Sequence, residues 1–164
     1  MKLFQPSEYQ VQAETAFAQE SVAILSLLPS VRIEHIGSSS VPGAISKGDL
    51  DICVLVPAES HSLAVNVLEG AGYTIKTDTL RTPDLCMLES SRKDIDIALQ
   101  VVSMGSKFEF FVSFRDRLRG NPHLVAEYNR VKICAQQEDE DRYREEKSKF
   151  IERVLVFCPA NNCH

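Results

Sequence analysis

Apolar residues in this chain recur at two spacings, and the change from one to the other falls near residue 106. From Pro6 to Leu28 good helix formers dominate, with Phe17, Ile24, Leu25 and Leu28 placed to face a core, and Pro29 ends the run. Ser7 and Gln10 have the spacing of a capping box. Val31 to Ile36 alternates as a strand does, with Val31, Ile33 and His35 on one face and Arg32, Glu34 and Ile36 on the other. Asp49 to Val56, D-L-D-I-C-V-L-V, is almost continuously apolar after its aspartates, the pattern of a strand buried on both faces. Glu59 to Ala71 reads as an amphipathic helix with Leu63, Val67 and Leu68 inward, closed by Gly72. Tyr73–Lys76 and Leu85–Glu89 follow as short strands, and Ser90–Lys93 as a hairpin turn.

Asp94 to Val102 returns to a period of two. Ile95, Ile97, Leu99 and Val101 take one face; Asp94, Asp96, Ala98 and Gln100 take the other. From Ser106 the chain is helical, over 106–119, 122–136 and 139–157, broken at Gly120-Asn121-Pro122. With no repeat and no low-complexity linker, the expectation is one α+β domain over 1–164. It is a small mixed β-sheet flanked by helices, with a helical C-terminal half.

A chain of 164 residues is long enough to bury a core, and its 44% hydrophobic and 25% charged residues are those of a water-soluble domain. The net charge of −5 excludes the broad basic footprint of a general nucleic-acid binder. No apolar run approaches the roughly 20 residues of a membrane span, and Met-Lys-Leu-Phe-Gln-Pro lacks the apolar core of a signal peptide. The five cysteines are odd in number and widely spaced, so they read as reduced thiols of a cytoplasmic protein. The terminal Cys158-Pro-Ala-Asn-Asn-Cys163-His164 fits no zinc spacing.

The chemistry concentrates between Ile36 and Ile52. Gly37 permits a close turn, and Ser38, Ser39 and Ser40 offer hydroxyls and backbone N–H donors, a cradle for phosphate where a strand runs into a turn. The bland reading is a turn glycine and serines capping a short helix. Asp49 and Asp51 point the same way on their strand while Leu50 points into the core. Two carboxylates so placed raise each other's pKa unless a cation lies between them, which suggests a hard divalent ion with oxygen ligands. Lys47 is placed to neutralise a phosphate or to lie along apolar surface. His35 is equally a core histidine or a ligand.

Gly-Ser, then D-x-D after ten intervening residues (39–48), then a later acidic strand resembles the active-site signature of the polymerase-beta-like nucleotidyltransferase superfamily. The runs E-H-I-G-S-S-S-V-P-G-A-I-S-K, F-R-D-R-L-R-G-N-P-H-L-V-A-E-Y-N-R-V-K and R-Y-R-E-E-K-S-K-F-I resemble, more narrowly, the GrpB family, from about Val31 to Phe157. The superfamily resemblance implies a nucleotidyltransferase fold and three carboxylates holding two divalent ions, Mg²⁺ or Mn²⁺. Asp49 and Asp51 would be two of them, and Asp96 or Asp94 the third, with Asp96 preferred because it lies deeper in the apolar strand. Gly37, Ser38 and Ser40 would hold phosphate, with Arg115 or Lys132 from the family-like runs reaching the triphosphate. Against this, Arg115 reads equally as part of a solvated helix face paired with acidic neighbours, and 138–149 as a solvated helix surface.

Two departures from the family stand out. Lys47-Gly48-Asp49 replaces its usual Lys-Pro-apolar and restores a full D-x-D, and Ala98 and Gln100 stand where it has His-x-His. The expected function is metal-dependent transfer of a nucleoside monophosphate from a nucleoside triphosphate to an unidentified acceptor. The alternatives are a catalytically inactive nucleotide-binding module and a domain whose aspartates bind a stabilising cation.

Overall fold

The computed structural model describes residues 1–156. Helix α1 spans Pro6–Leu27, and Pro6 starts it because its missing N–H has no intrahelical partner in the first turn anyway. The cap is Gln5 and Glu8, not Ser7 and Gln10. The Glu8 carboxylate accepts the Gln5 N–H at 2.6 Å, whereas the Gln10 side chain reaches across to donate to the Val41 carbonyl at 2.8 Å. The buried stripe of α1 is Tyr9, Ala13, Ala16, Glu20 and Ile24. Leu25, expected inside, lies about 100° round the helix from Ile24 and is 42% exposed.

Five strands form one mixed sheet: β1 (Arg32–Ile36), β2 (Leu50–Val56), β3 (Thr74–Ile75), β4 (Leu85–Glu89) and β5 (Ile97–Ser103), in the order β1-β2-β5-β4-β3. β2 and β5 run parallel at the centre; β1 pairs antiparallel with β2, and β4 antiparallel with both β5 and β3. Leu50, Ile52, Val54, Val56, Ile97, Leu99 and Val101 pack against α1 and α2 (His61–Gly70) in one core. The opposite face, with Cys53, Leu55 and Val102, packs against Phe108. Burial on both faces of β2 is thus as its composition predicts.

Two elements differ from the sequence expectation. Helix α2 begins at His61 after a 3-10 turn, and its inward stripe is His61, Ala64, Val65 and Leu68. Leu63 is 64% exposed, because the larger apolar side chain loses to the stripe on which His61 bonds the Val101 carbonyl at 2.9 Å. Strand β5 begins at Ile97 rather than Asp94, since the β4–β5 connection occupies 90–96, closed by Ser90 N–H to Ile97 O at 3.0 Å.

Helices α3 (Phe110–Arg119), α4 (Pro122–Ala135) and α5 (Glu140–Val156) form the C-terminal half. Their core stacks Tyr128 on Phe150 at 5.0 Å, with Phe114 edge-on to Tyr128 at 5.5 Å. The segment between β1 and β2 is wedged between this half and α1. Val41 and Ala44 pack with Leu118, Val125 and Tyr128, Asn129 bonds Ile45 N–H at 3.0 Å and Gly43 O at 2.9 Å, and Tyr9 donates to Ala44 O at 2.8 Å. Among the described residues no helix is long and apolar enough to cross a membrane, and Cys53, Cys86 and Cys134 are free thiols. The Cys158–His164 cluster lies outside the described residues.

The buried face of α1 is tested by truncation. Ile24→Ala should cost about 3 kcal/mol of unfolding free energy and Leu25→Ala under about 1 kcal/mol, read by urea denaturation; equal losses would contradict this packing.

Candidate functional site

The site is built where β1 ends. Ile36 pairs with Asp51 across the β1–β2 ladder, so the next residue, Gly37, passes directly over that carboxylate. Its φ of +73° is a left-handed conformation, and a Cβ there would stand 2.5 Å from Asp51 Oδ2. Only glycine satisfies both constraints. Ser38–Ser40 follow as a single 3-10 turn. The Ser40 hydroxyl donates to Gly37 O at 2.6 Å and is part-buried, so it shapes the turn, contrary to the expectation that it faces a phosphate. Ser39 bonds the His35 ring at 2.8 Å, and that ring stacks on Phe17 at 4.8 Å. Burial, then the charges of Arg119 and Arg115, push His35 down to about 4. It is therefore a neutral support inside the core rather than a ligand.

Asp51 is half-buried at the start of β2, beside Asp49. Burial, then the Asp49 charge, raise its pKa to about 7, against the opposing influence of Lys147, Gln100 and Lys47. Across the sheet Asp51 pairs with Ala98, so the position opposite it carries a methyl group. Gln100 lies on the same face and is 7% exposed, and its Oε1 has no hydrogen-bond partner. A buried amide oxygen without a partner is costly unless something else supplies a positive pole.

Two lysines from the helical half complete the site. Lys132 on α4 is 1% exposed; its Nζ donates to Ser38 Oγ at 2.9 Å and to the Ile45 carbonyl, and sits 4.2 Å from the Tyr128 ring centroid. Burial, then the Lys147 charge, bring its pKa down to about 7, and Asp49 opposes the fall. Lys147 on α5 lies 5.3 Å from the Tyr143 ring centroid. Burial depresses it, but Tyr128, Tyr143, Asp51 and Asp49 outweigh that, and its pKa is raised.

Other sequence candidates are placed differently. Arg115 is 7% exposed and its guanidinium bonds Glu34 at 2.6 Å, Asp116 at 2.9 Å and His35 O at 3.0 Å. It clamps α3 to β1, with four of its five N–H donors used within the protein. Asp94 is exposed and held by Arg92 at 2.7 Å, which keeps its carboxyl below the usual range; it is not a third metal ligand. Asp96 precedes β5 and, with Asp49 and Lys47, lines a neighbouring cavity of about 330 Å³.

Among the described residues no three His, Cys, Asp or Glu side chains come together to hold a metal, so the expected set of three carboxylates and two ions is not assembled. Asp51 and Gln100 share one face of the sheet, with Asp49 beside Asp51 at the start of β2.

Lys147 was read in sequence as part of a solvated helix surface. The signal against that reading was present: Tyr143, Phe150 and Val154 are the buried residues of α5, and Lys147 falls on their stripe at i+4 from Tyr143. Lys132 likewise continues the stripe of Val125, Tyr128 and Ala135. A lysine on an apolar stripe is one whose charge has business inside.

Comparison with known proteins agrees with this architecture. The family model described as "GrpB protein" matches residues 6–156. A UPF0157 protein of Vibrio cholerae is 51% identical over 94% of this chain and 82% of its own length. One of Halalkalibacterium halodurans is 32% identical over 90% and 78%. The crystal structure of conserved protein GrpB from Enterococcus faecalis superposes with a TM-score of 0.74 at 24% identity, over 94% of this chain and 98% of that one. The Cid1 poly(U) polymerase, solved with Mg and 3'-dATP bound, gives a TM-score of 0.59 at 14% identity, over 84% of this chain and 47% of that one. The fold is thus that of the nucleotidyltransferases.

The raised pKa of Asp51 makes a prediction about stability. Between about pH 4 and 7 the folded state holds a proton that the unfolded chain has released, so this group's contribution falls as pH rises through that window. Asp51→Asn should match the parent near pH 4 and exceed its stability by on the order of 2 kcal/mol at pH 8, in urea denaturation series at each pH.

Proposed function

This chain belongs to the GrpB protein family, and from that premise we propose that it is a nucleotidyltransferase, moving a nucleoside monophosphate from a nucleoside triphosphate to a small acceptor. The observation that carries the reading is the contact of turn and carboxylate. Gly37 lies so close over Asp51 that a side chain is excluded, and the next residue, Ser38, is bonded by Lys132; this supports a phosphate grip next to the carboxylates. The triphosphate lies along Gly37 and Ser38, with Lys132 and Lys147 supplying positive charge from behind. Lys47 stands on the exposed side of the same pair. Asp49, Asp51 and Gln100 Oε1 are the groups that would hold a Mg²⁺ or Mn²⁺ ion, and such an ion supplies neutralisation of phosphate charge during the displacement.

The transfer balances without further reagents. An acceptor oxygen bonds to the α-phosphorus while the bond from that phosphorus to the bridging oxygen breaks, and pyrophosphate leaves with that oxygen. The acceptor's proton passes to the Asp96 carboxylate, which is open to water and returns it there. Asp96 fits this part because it shares a cavity with Asp49.

A second reading is a nucleotide-binding module without turnover. It is favoured by the Ala98 methyl facing Asp51 where a further carboxylate would complete a two-ion site.

The two are separated by calorimetry and by transfer of α-phosphate label from a mixture of the four nucleoside triphosphates with Mg²⁺. Ser38→Ala and Lys132→Met should each weaken triphosphate binding at least tenfold, about 1.4 kcal/mol. Asp96→Asn should leave binding within about twofold and lower labelling by about 10²–10⁴. Binding without pyrophosphate release in the presence of a hydroxyl acceptor selects the second reading. No triphosphate binding by the parent protein sinks both.

A further inference from the structure

Residues paired across a sheet share a face. The row Asp51–Ala98–Glu89 therefore lies side by side on β2, β5 and β4. Two inter-strand steps put Asp51 and Glu89 about 10 Å apart, with only a methyl group between them. Ala98 and Glu89 of this row line the cavity of about 330 Å³, together with Lys47, Asp49, Lys76 and Asp96. Five of these six residues are charged, and they carry both signs. Yet among the described residues none of the five forms a salt bridge, although ion pairs are formed elsewhere on the same molecule by Arg92 and Arg115. Two positive and three negative groups held around one space without cancelling one another are matched by a molecule that brings both signs itself. Next to Ala98 on the same face of β5, Gln100 is 7% exposed and keeps an amide oxygen without a hydrogen-bond partner.

We propose that this cavity is the acceptor subsite and that the acceptor is a small hydroxyl-bearing zwitterion. Its ammonium faces Glu89, its anionic group faces Lys47 and Lys76, and its hydroxyl lies over Ala98 within reach of Asp96. Ala98 is then the specificity-determining position: its small side chain is what admits the acceptor between the two carboxylates. The proposal rests on the transferase reading above for the word acceptor, but the binding of a zwitterion does not depend on it.

The test uses the full chain and three matched probes, followed by two-dimensional NMR titration and calorimetry with and without Mg²⁺ and triphosphate. L-Homoserine carries ammonium, carboxylate and hydroxyl; 3-aminopropan-1-ol lacks the carboxylate; 4-hydroxybutyrate lacks the ammonium. Homoserine should bind at least tenfold more tightly than either half. Ala98→Leu, which fills the notch, and Lys76→Ser, a change at a partly exposed side chain that leaves the core intact, should each weaken it at least tenfold while triphosphate affinity stays within twofold. The proposal is overturned if homoserine does not bind at tens of millimolar, if either half binds as well, or if both variants bind it as the parent does. Triphosphate binding is read in the same titrations, so its loss in the parent identifies failure of the transferase reading, and loss of zwitterion binding alone identifies failure of this one.

Discussion

The pairing of Ile36 with Asp51 across β1 and β2 is the constraint on which the site depends. It delivers the chain leaving β1 directly over the carboxylate at the start of β2. A slip of one residue would turn Asp51 toward α1 and α2 and bring Leu50 and Ile52 out of the core, burying a charge and exposing two large apolar side chains. The packing of Leu50, Ile52, Val54 and Val56 against the helices therefore holds the register that makes the site. Gly37 follows from it: the approach is too close for a Cβ, and the left-handed backbone is one a glycine adopts at little cost.

Around this contact, charge is sorted by position. Arg115 is spent within the structure, joining Glu34 and Asp116 and capping the His35 carbonyl, and Arg119 donates to the Ser40 carbonyl at 2.8 Å. These guanidiniums brace the turn from the α3 side. The ammonium of Lys132 lies underneath it, satisfied by a hydroxyl, a carbonyl and an aromatic face, and the charge of Lys147 on α5 is favoured by Tyr128, Tyr143 and the two aspartates. A pair of carboxylates that would repel in isolation is thus set opposite positive charge supplied by the helical half. This gives the C-terminal helices a part in the site beyond covering the sheet.

The central parallel pair has a second consequence. Because β2 and β5 run together in register, each residue of one strand looks across at a defined residue of the other. Asp51 faces a methyl group, and the next residue on that face of β5, Gln100, brings an amide. The oxygens available at the site therefore come from two neighbouring carboxylates and one neutral group, with Asp96 set apart at the mouth of the adjoining cavity.

Much of this could be read along the chain. Strand β2 announced itself by continuous apolar character, the Gly-Ser turn and D-x-D by short local spacing, and the helical half by the change of period after residue 106. These are properties of neighbours in sequence, fixed by backbone geometry and by which side chains water excludes. Leu25 and Leu63 were misjudged because which stripe of a helix faces inward depends on what it packs against. The ion pairs of Asp94 with Arg92 and of Arg115 with Glu34 could not be read along the chain, because a charge finds its partners only once the loop and α3 are in place. The same holds for Lys147, which sequence placed in water and the fold half-buries against the Tyr143 ring. Local pattern determined the strands, the turn and the carboxylate pair; tertiary structure alone decided which charges meet, because Coulomb interactions and desolvation depend on distance through space and on what surrounds each group.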